Sequence, residues 1–298
     1  MNRIYIILGV VSLFIMSCED VIEIDSGFEE ATLVVDAWID DLERPQTIRL
    51  TKSQDYFDSQ LAAGVRGAIV TVKRSDGVNL TFVDSGDGNY VWTPSPGETL
   101  GEVGLTYTLD IEAEGVSFIA ETVMDPVPVI DSIAQVYEEE QFGFPEGIYA
   151  ELFATDLEGI GNAYWGRTWK NDTLLNKPFE MMIVYDGTFS PGTGTDGIPF
   201  IFPIRRQINP IEDDLEEGEE AQAPYKVGDE IYVELASISE EAFDFLTIAF
   251  EQMTNGDNGI FTLPLANSGT NVQSVGTDVP ILGFFNVAST SFKTKVIE

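Results

Sequence analysis

From Ala31 onward, apolar and polar residues alternate in short runs, the period of strands buried on one face. ATLVVDAWID (31–40) predicts a strand, and PQTIRLTKS (45–53) its partner across a turn at 40–45. GAIVTVKR (67–74) and VNLTFVD (78–84) flank Asp76-Gly77, a dipeptide suited to a tight hairpin. Glycines at 86 and 88 then turn the chain into Tyr90–Trp92. LTYTLDIEAEG (105–115) and VSFIAETVM (116–124) form a further hairpin around Glu114-Gly115. About seven short strands with regular turns predict an immunoglobulin-like β-sandwich over 31–124, with Trp38 and Trp92 in its core.

The pattern is interrupted at DPVPV (125–129), where two prolines each fix φ and remove a backbone donor. A domain boundary is expected there, followed by a second β-rich domain over 130–298. Strands are expected at 130–140, 147–155, 163–171 and 229–238, and a buried closing strand at 279–289. The one helix expected runs over 239–253. Ser239 can cap it, Glu240 and Glu241 occupy its first turn, and Phe243, Leu246, Phe250 and Met253 make one apolar stripe. The fold class expected is therefore mainly β: a sandwich, then a β-rich domain with one prominent helix.

The first residues follow another rule. Arg3 precedes an apolar run from Ile4 to Met16, and Ser17 and Cys18 come next, followed at once by Glu19 and Asp20. A basic start, a short apolar core and a small residue before the cut describe an export signal over 1–17. The run is shorter than the roughly 20 residues needed to cross a bilayer. Cys18 is the only cysteine in the chain, and its setting resembles a lipobox, with Met16 a looser fit. The expectation is a lipid-anchored protein of the outer membrane, on its surface or its periplasmic face, with an acidic tether over 18–30.

Charge narrows the partners. Fifty-one acidic against 15 basic residues give −36, and losing Arg3 with residues 1–17 makes −37. This charge argues against nucleic acid as a partner, because its binding is driven by basic residues that neutralise phosphates. With 44% hydrophobic and 11% aromatic residues, the chain is nonetheless a core-forming one. It contains no histidine, which removes Ser-His-Asp and Cys-His catalysis and His-ligated zinc. Paired carboxylates are no guide here, since 51 acids satisfy a spacing of about 5–10 Å by chance. No enzyme is expected.

Three groups of residues are candidates for binding. Asp84, Asp87 and Asn89 (DSGDGN) supply oxygens suited to Ca²⁺, the only cofactor the sequence suggests, and equally suit a glycine-rich turn. Glu212–Glu220 holds seven carboxylates in nine residues, which can attract cations or simply form a solvated loop. Trp165 and Trp169, four apart in a strand, share one face and can form a sugar-stacking surface or part of a core.

LVVDAWIDD, GAIVTVKRSDG, SGDGNYV, GEVGLTYTLDIEAEG with VPVIDSI, GNAYWGRTW, VELASISEEAFDFL and LGFFNVAS follow one another along the chain. Together they resemble domain-of-unknown-function family 4249, lipoproteins of the Bacteroidota. The resemblance implies an outer-membrane or cell-surface lipoprotein that works beside a TonB-dependent, SusC-like transporter. The family carries no established catalytic residues. An accessory to nutrient uptake is thus expected; the alternative is a stand-alone glycan- or peptide-binding surface protein.

Overall fold

The computed structural model describes residues 31–54, 60–141, 144–192, 194–211, 221–254 and 268–298. The first seven strands are β1 (Leu33–Asp40), β2 (Gln46–Lys52), β3 (Ile69–Arg74), β4 (Asn79–Gly86), β5 (Asn89–Trp92), β6 (Thr106–Ala113) and β7 (Val116–Val123). Each falls on a segment where alternation predicts it. The β6–β7 hairpin turns on Glu114 and Gly115, both at positive φ (53° and 81°), the conformation whose twist matches the flanking strands.

Later come β8 (Ile130–Glu138), β9 (Gly147–Ala154), β10 (Ala163–Lys170), β11 (Thr173–Leu174), β12 (Met182–Tyr185), β13 (Glu230–Ile238), β14 (Gln273–Ser274), β15 (Ile281–Ala288) and β16 (Thr290–Val296). Among the described residues the α-helices are α1 (Phe202–Arg206) and α2 (Glu240–Thr254), with a short 3₁₀ turn at Pro178–Glu180. The fold is mainly β, as expected.

The largest sheet runs β14-β7-β6-β3-β4-β5-β2-β1-β15. Its bend lies in β4. Leu80 and Phe82 pair with β3, whereas Val83 and Asp84 pair with β5 across a bulge at 84–86. One strand thereby serves two leaves, which close over a core that includes Val35, Ile48, Val70, Tyr90, Tyr107 and Phe285.

Residues 31–124 do not complete this sheet. Both of its outer strands come from the C-terminal part, β14 beside β7 and β15 parallel to β1, with Leu33 opposite Ile281 and Asp40 opposite Ala288. The expected boundary at 125–129 is crossed by these pairings, and Thr32–Ser53 with Leu61–Glu298 form a single compact unit. Of the other unit few residues are described; in it Gln54 donates to the Gln60 carbonyl at 2.8 Å.

A second sheet runs β11-β10-β13-β16, with β12 also beside β10, and β8 and β9 form a separate pair. Only Ser289 separates β15 from β16, so the chain passes directly from one sheet into the other. One face of the second sheet buries Tyr164, Val184, Val233 and Leu235 against Leu152 of β9 and Ile204 of α1. Helix α2 begins as expected: Ser239 Oγ accepts the Ala242 N–H at 3.1 Å. Phe243 and Leu246 are buried, Phe250 is half-buried, and Met253 at the end of the stripe is exposed.

Candidate functional site

Strand parity sorts β10 and β13 into two faces. Tyr164, Gly166 and Thr168 point into the core, leaving Trp165, Arg167 and Trp169 on the opposite face. On β13 the corresponding residues are Tyr232 and Glu234. Antiparallel register sets Trp169 against Tyr232 and Arg167 against Glu234. Beyond them, Phe292 of β16 stands opposite Glu234.

The turn between β1 and β2 supplies the remaining charge. Arg44 grips Glu234 with both terminal nitrogens, at 2.5 and 3.0 Å, and also bonds Asp40. Arg167 approaches the same two acids, 2.8 Å from Glu234 and 3.7 Å from Asp40, and the Tyr232 hydroxyl donates to Glu234 at 2.8 Å. Glu234 is fully buried. A buried carboxylate is tolerated when its lone pairs are filled this completely. Burial opposes charge on Arg44, but hydrogen bonds to Glu234 and Asp40 outweigh it and hold the guanidinium above its usual range. Burial and the bond to Glu234 push the Tyr232 phenol up.

Aromatic rings surround this ion cluster. Trp38 lies on the outer side of β1, because Ala37 and Ile39 take the inner positions. The expectation that Trp38 fills the sandwich core is therefore corrected. It stacks on Phe284 (5.6 Å, 17°) and meets Trp165 edge-on (5.2 Å, 71°). Trp92 is half-buried at the margin of the sandwich core. The Arg167 guanidinium lies 5.2 Å from the Trp165 ring centre and 5.7 Å from that of Trp169. Trp169 then contacts Tyr232 at 5.3 Å, and Tyr232 contacts Phe292 at 5.9 Å.

Trp165 and Trp169 thus share a face as expected, but with Arg167 between them they do not form one flat platform. The row is covered at Trp165, by Trp38 and α2, and open at Trp169. There Leu174, Phe292 and Val296 are exposed, Phe292 by 56%. Reading the sequence missed Arg44, Arg167, Tyr232, Glu234 and Phe292. Arg167 stood within WGRTW, two residues from each Trp, and that spacing could have flagged it.

Asp84, Asp87 and Asn89 meet at the β4–β5 turn. Asp84 already accepts the Gly86 and Gly67 N–H groups, at 2.8 and 2.9 Å, and Asn89 donates to the Gly86 carbonyl. Asp87 is 3.4 Å from Arg66 and points into solvent. Among the described residues no cluster of three acidic, His or Cys side chains is arranged to hold a metal. The loop at 186–199 is pinned by buried Asp186, which accepts the Gly161 and Asn162 N–H groups, and by buried Asp156, which accepts the Tyr164 hydroxyl at 2.7 Å and the Gly197 N–H at 3.1 Å. Burial pushes the Asp156 carboxyl up. Cys18, with the rest of the export signal and tether, and Glu212–Glu220 lie outside the described residues.

Residues 19–294 match the family described as Domain of unknown function (DUF4249). The chain belongs to this family. No curated protein matches it. In this DUF4249 protein, segments that carry the resemblance converge at the junction of the two sheets. LVVDAWIDD provides Trp38 and Asp40, GNAYWGRTW provides Trp165, Arg167 and Trp169, VELASISEEAFDFL provides Glu234, and LGFFNVAS provides Phe284. Among the described residues no helix is long and apolar enough to cross a membrane.

Proposed function

We propose that the protein is an exported lipoprotein, acylated at Cys18, that works without catalysis as a binding accessory of a TonB-dependent, SusC-like transporter at the outer membrane. The binding half of this reading rests on the open end of the aromatic row. Trp169, Tyr232 and Phe292 lie on three adjacent strands, backed by the Arg44–Glu234–Arg167 cluster. Aromatic anchors on a rigid support suit recognition, because little side-chain freedom is lost on binding. The anchoring half rests on the lipobox-like setting of Cys18. With −37 on the body, an anionic membrane surface repels it, and acyl chains would supply the attachment.

The test is affinity purification of the native, acylated protein in mild detergent, followed by identification of outer-membrane receptors that accompany it. A TonB-dependent receptor that accompanies the wild type, and is lost from a Trp169→Ala/Phe292→Ala variant, supports the proposal. The second reading, a stand-alone glycan-binding protein, draws on the same exposed rings, since sugar faces stack on them. Binding to a glycan panel with no accompanying receptor would favour it and overturn the first.

A further inference from the structure

The large sheet leaves a seam between β7 and β15, and α2 lies across it. A cleft of about 670 Å³ opens there. Its apolar floor is made by Ile119 of β7, Phe284 of β15, and Phe245 and Ile248 of α2. Its rim carries Glu121 from one wall and Glu241 and Asp244 from the other. These α2 residues occupy the helix face beside the one that buries Phe243 and Leu246. Asn271 holds the neighbouring wall in place by clasping β15: it donates to the Phe285 carbonyl at 2.8 Å and accepts the Phe285 N–H at 2.9 Å.

Two features of this cleft are left unmatched. The first is charge: three carboxylates face it, and among the described residues no lining residue is basic and none of the three enters an ion pair. The second is a strand edge. The N–H and C=O of one strand residue point to the same side, and that side alternates along the strand. Val275 donates to the Ser117 carbonyl, so Ser117, Ile119 and Glu121 present their main-chain groups away from β6. The β14 ladder covers only Phe118 and Ile119. Among the described residues, the main chain of Glu121 has no ladder partner on that side, and it borders the cleft.

We propose that the cleft binds a short free peptide in which pairs of basic and pairs of apolar residues follow one another, laid as an added strand along the edge of β7 at Glu121, so that the one face it turns to the cleft carries both kinds. Its cationic side chains meet Glu121, Glu241 and Asp244, and its apolar ones rest on Phe245 and Ile248. A peptide fits where a simple polyamine does not, because only a peptide supplies main-chain bonds to the strand edge as well as charge and apolar surface. The cleft borders the covered end of the aromatic row, where Phe284 stacks on Trp38, but shares no residue with the open end at Trp169, Tyr232 and Phe292, and it stands whether or not that open end meets a transporter.

The probe is an amidated hexapeptide, Lys-Lys-Phe-Phe-Lys-Lys, either face of which presents lysine and phenylalanine together when extended, titrated calorimetrically into the folded mature chain. Glu121→Gln, Glu241→Gln and Asp244→Asn combined are expected to weaken binding by about tenfold or more. Removing three exposed charges elsewhere, at Asp131, Glu139 and Glu140, is expected to change it by less than about twofold. Backbone N-methylation of the probe weakens binding, and spermine binds at least about tenfold more weakly than the peptide. The proposal is overturned if the probe does not bind, if the two triple variants lose affinity equally, or if methylated peptide or spermine binds as well as the probe. Circular dichroism confirms that each variant is folded before it is scored.

Discussion

Arg44 and Glu234 stand 190 residues apart in sequence and meet as a two-pronged ion pair between the β1–β2 turn and the second sheet. Glu234 is wholly buried, whereas the Arg44 side chain keeps 37% of its surface open. The pair ties the turn of one sheet to the central strand of the other. Its strength depends on Glu234 receiving further donors from Arg167 and Tyr232.

Arg44→Ala is expected to cost about 2–4 kcal/mol, because it leaves the buried carboxylate with Arg167 and Tyr232 as its remaining donors. Urea denaturation measures this. In a double-mutant cycle with Glu234→Gln, the two losses should be markedly less than additive. Additive losses would mean that the two residues act separately.

Gly283 is the tightest point of the β1–β15 pairing. It has φ +93°, and a Cβ there would lie 1.9 Å from the Val35 carbonyl oxygen. Gly283→Ala is expected to destabilise by about 2–4 kcal/mol, combining backbone strain with displacement of β1. Its exposed neighbour provides the comparison: Leu282→Ala should cost about 1 kcal/mol or less. Thermal unfolding of the two variants decides the matter.

Asp84 governs part of the response to acid. The Gly67 N–H, then the Gly86 N–H, hold its carboxyl below the ordinary value of 3.8. Because the folded-state value is the lower one, the stability it contributes is complete above the unfolded value and is lost as pH falls through the folded one. Asp84→Asn should therefore flatten the stability–pH curve below about pH 4 and leave its slope at neutral pH unchanged. A slope unchanged in acid would show that the carboxylate is not held by these bonds.

Cys18→Ala should move the protein from the membrane fraction to the soluble fraction of the cell envelope and abolish incorporation of labelled fatty acid. Retention in the membrane with lipid attached would rule out Cys18 as the anchor.

Much of the local structure was legible in the residues. Alternation located β1 to β7 within a residue or two at most ends, and Ser239 marked the start of α2. β16 was missed: a single serine separates it from β15, and no turn residues announce a new strand. β11, β12 and β14 are two to four residues long, too short for a period to register. The candidate site was legible only as Trp165 and Trp169. Their four-residue spacing placed them on one face, but nothing local indicated that Trp38 would cover one of them.

By itself the sequence determined the β-rich class, the hairpin turns, the capped helix and the acidic balance, because each depends on residues close together along the chain. Tertiary structure alone decided that β15 joins β1 and that the expected boundary is bridged. It also turned Trp38 outward and gathered half-buried Arg44 and Arg167 around the buried carboxylates of Asp40 and Glu234. A parallel pairing between residues 33–40 and 281–288 leaves no local trace. The inward or outward direction of Trp38 follows from which sheet face lies against the core, and that is settled only once both sheets have closed.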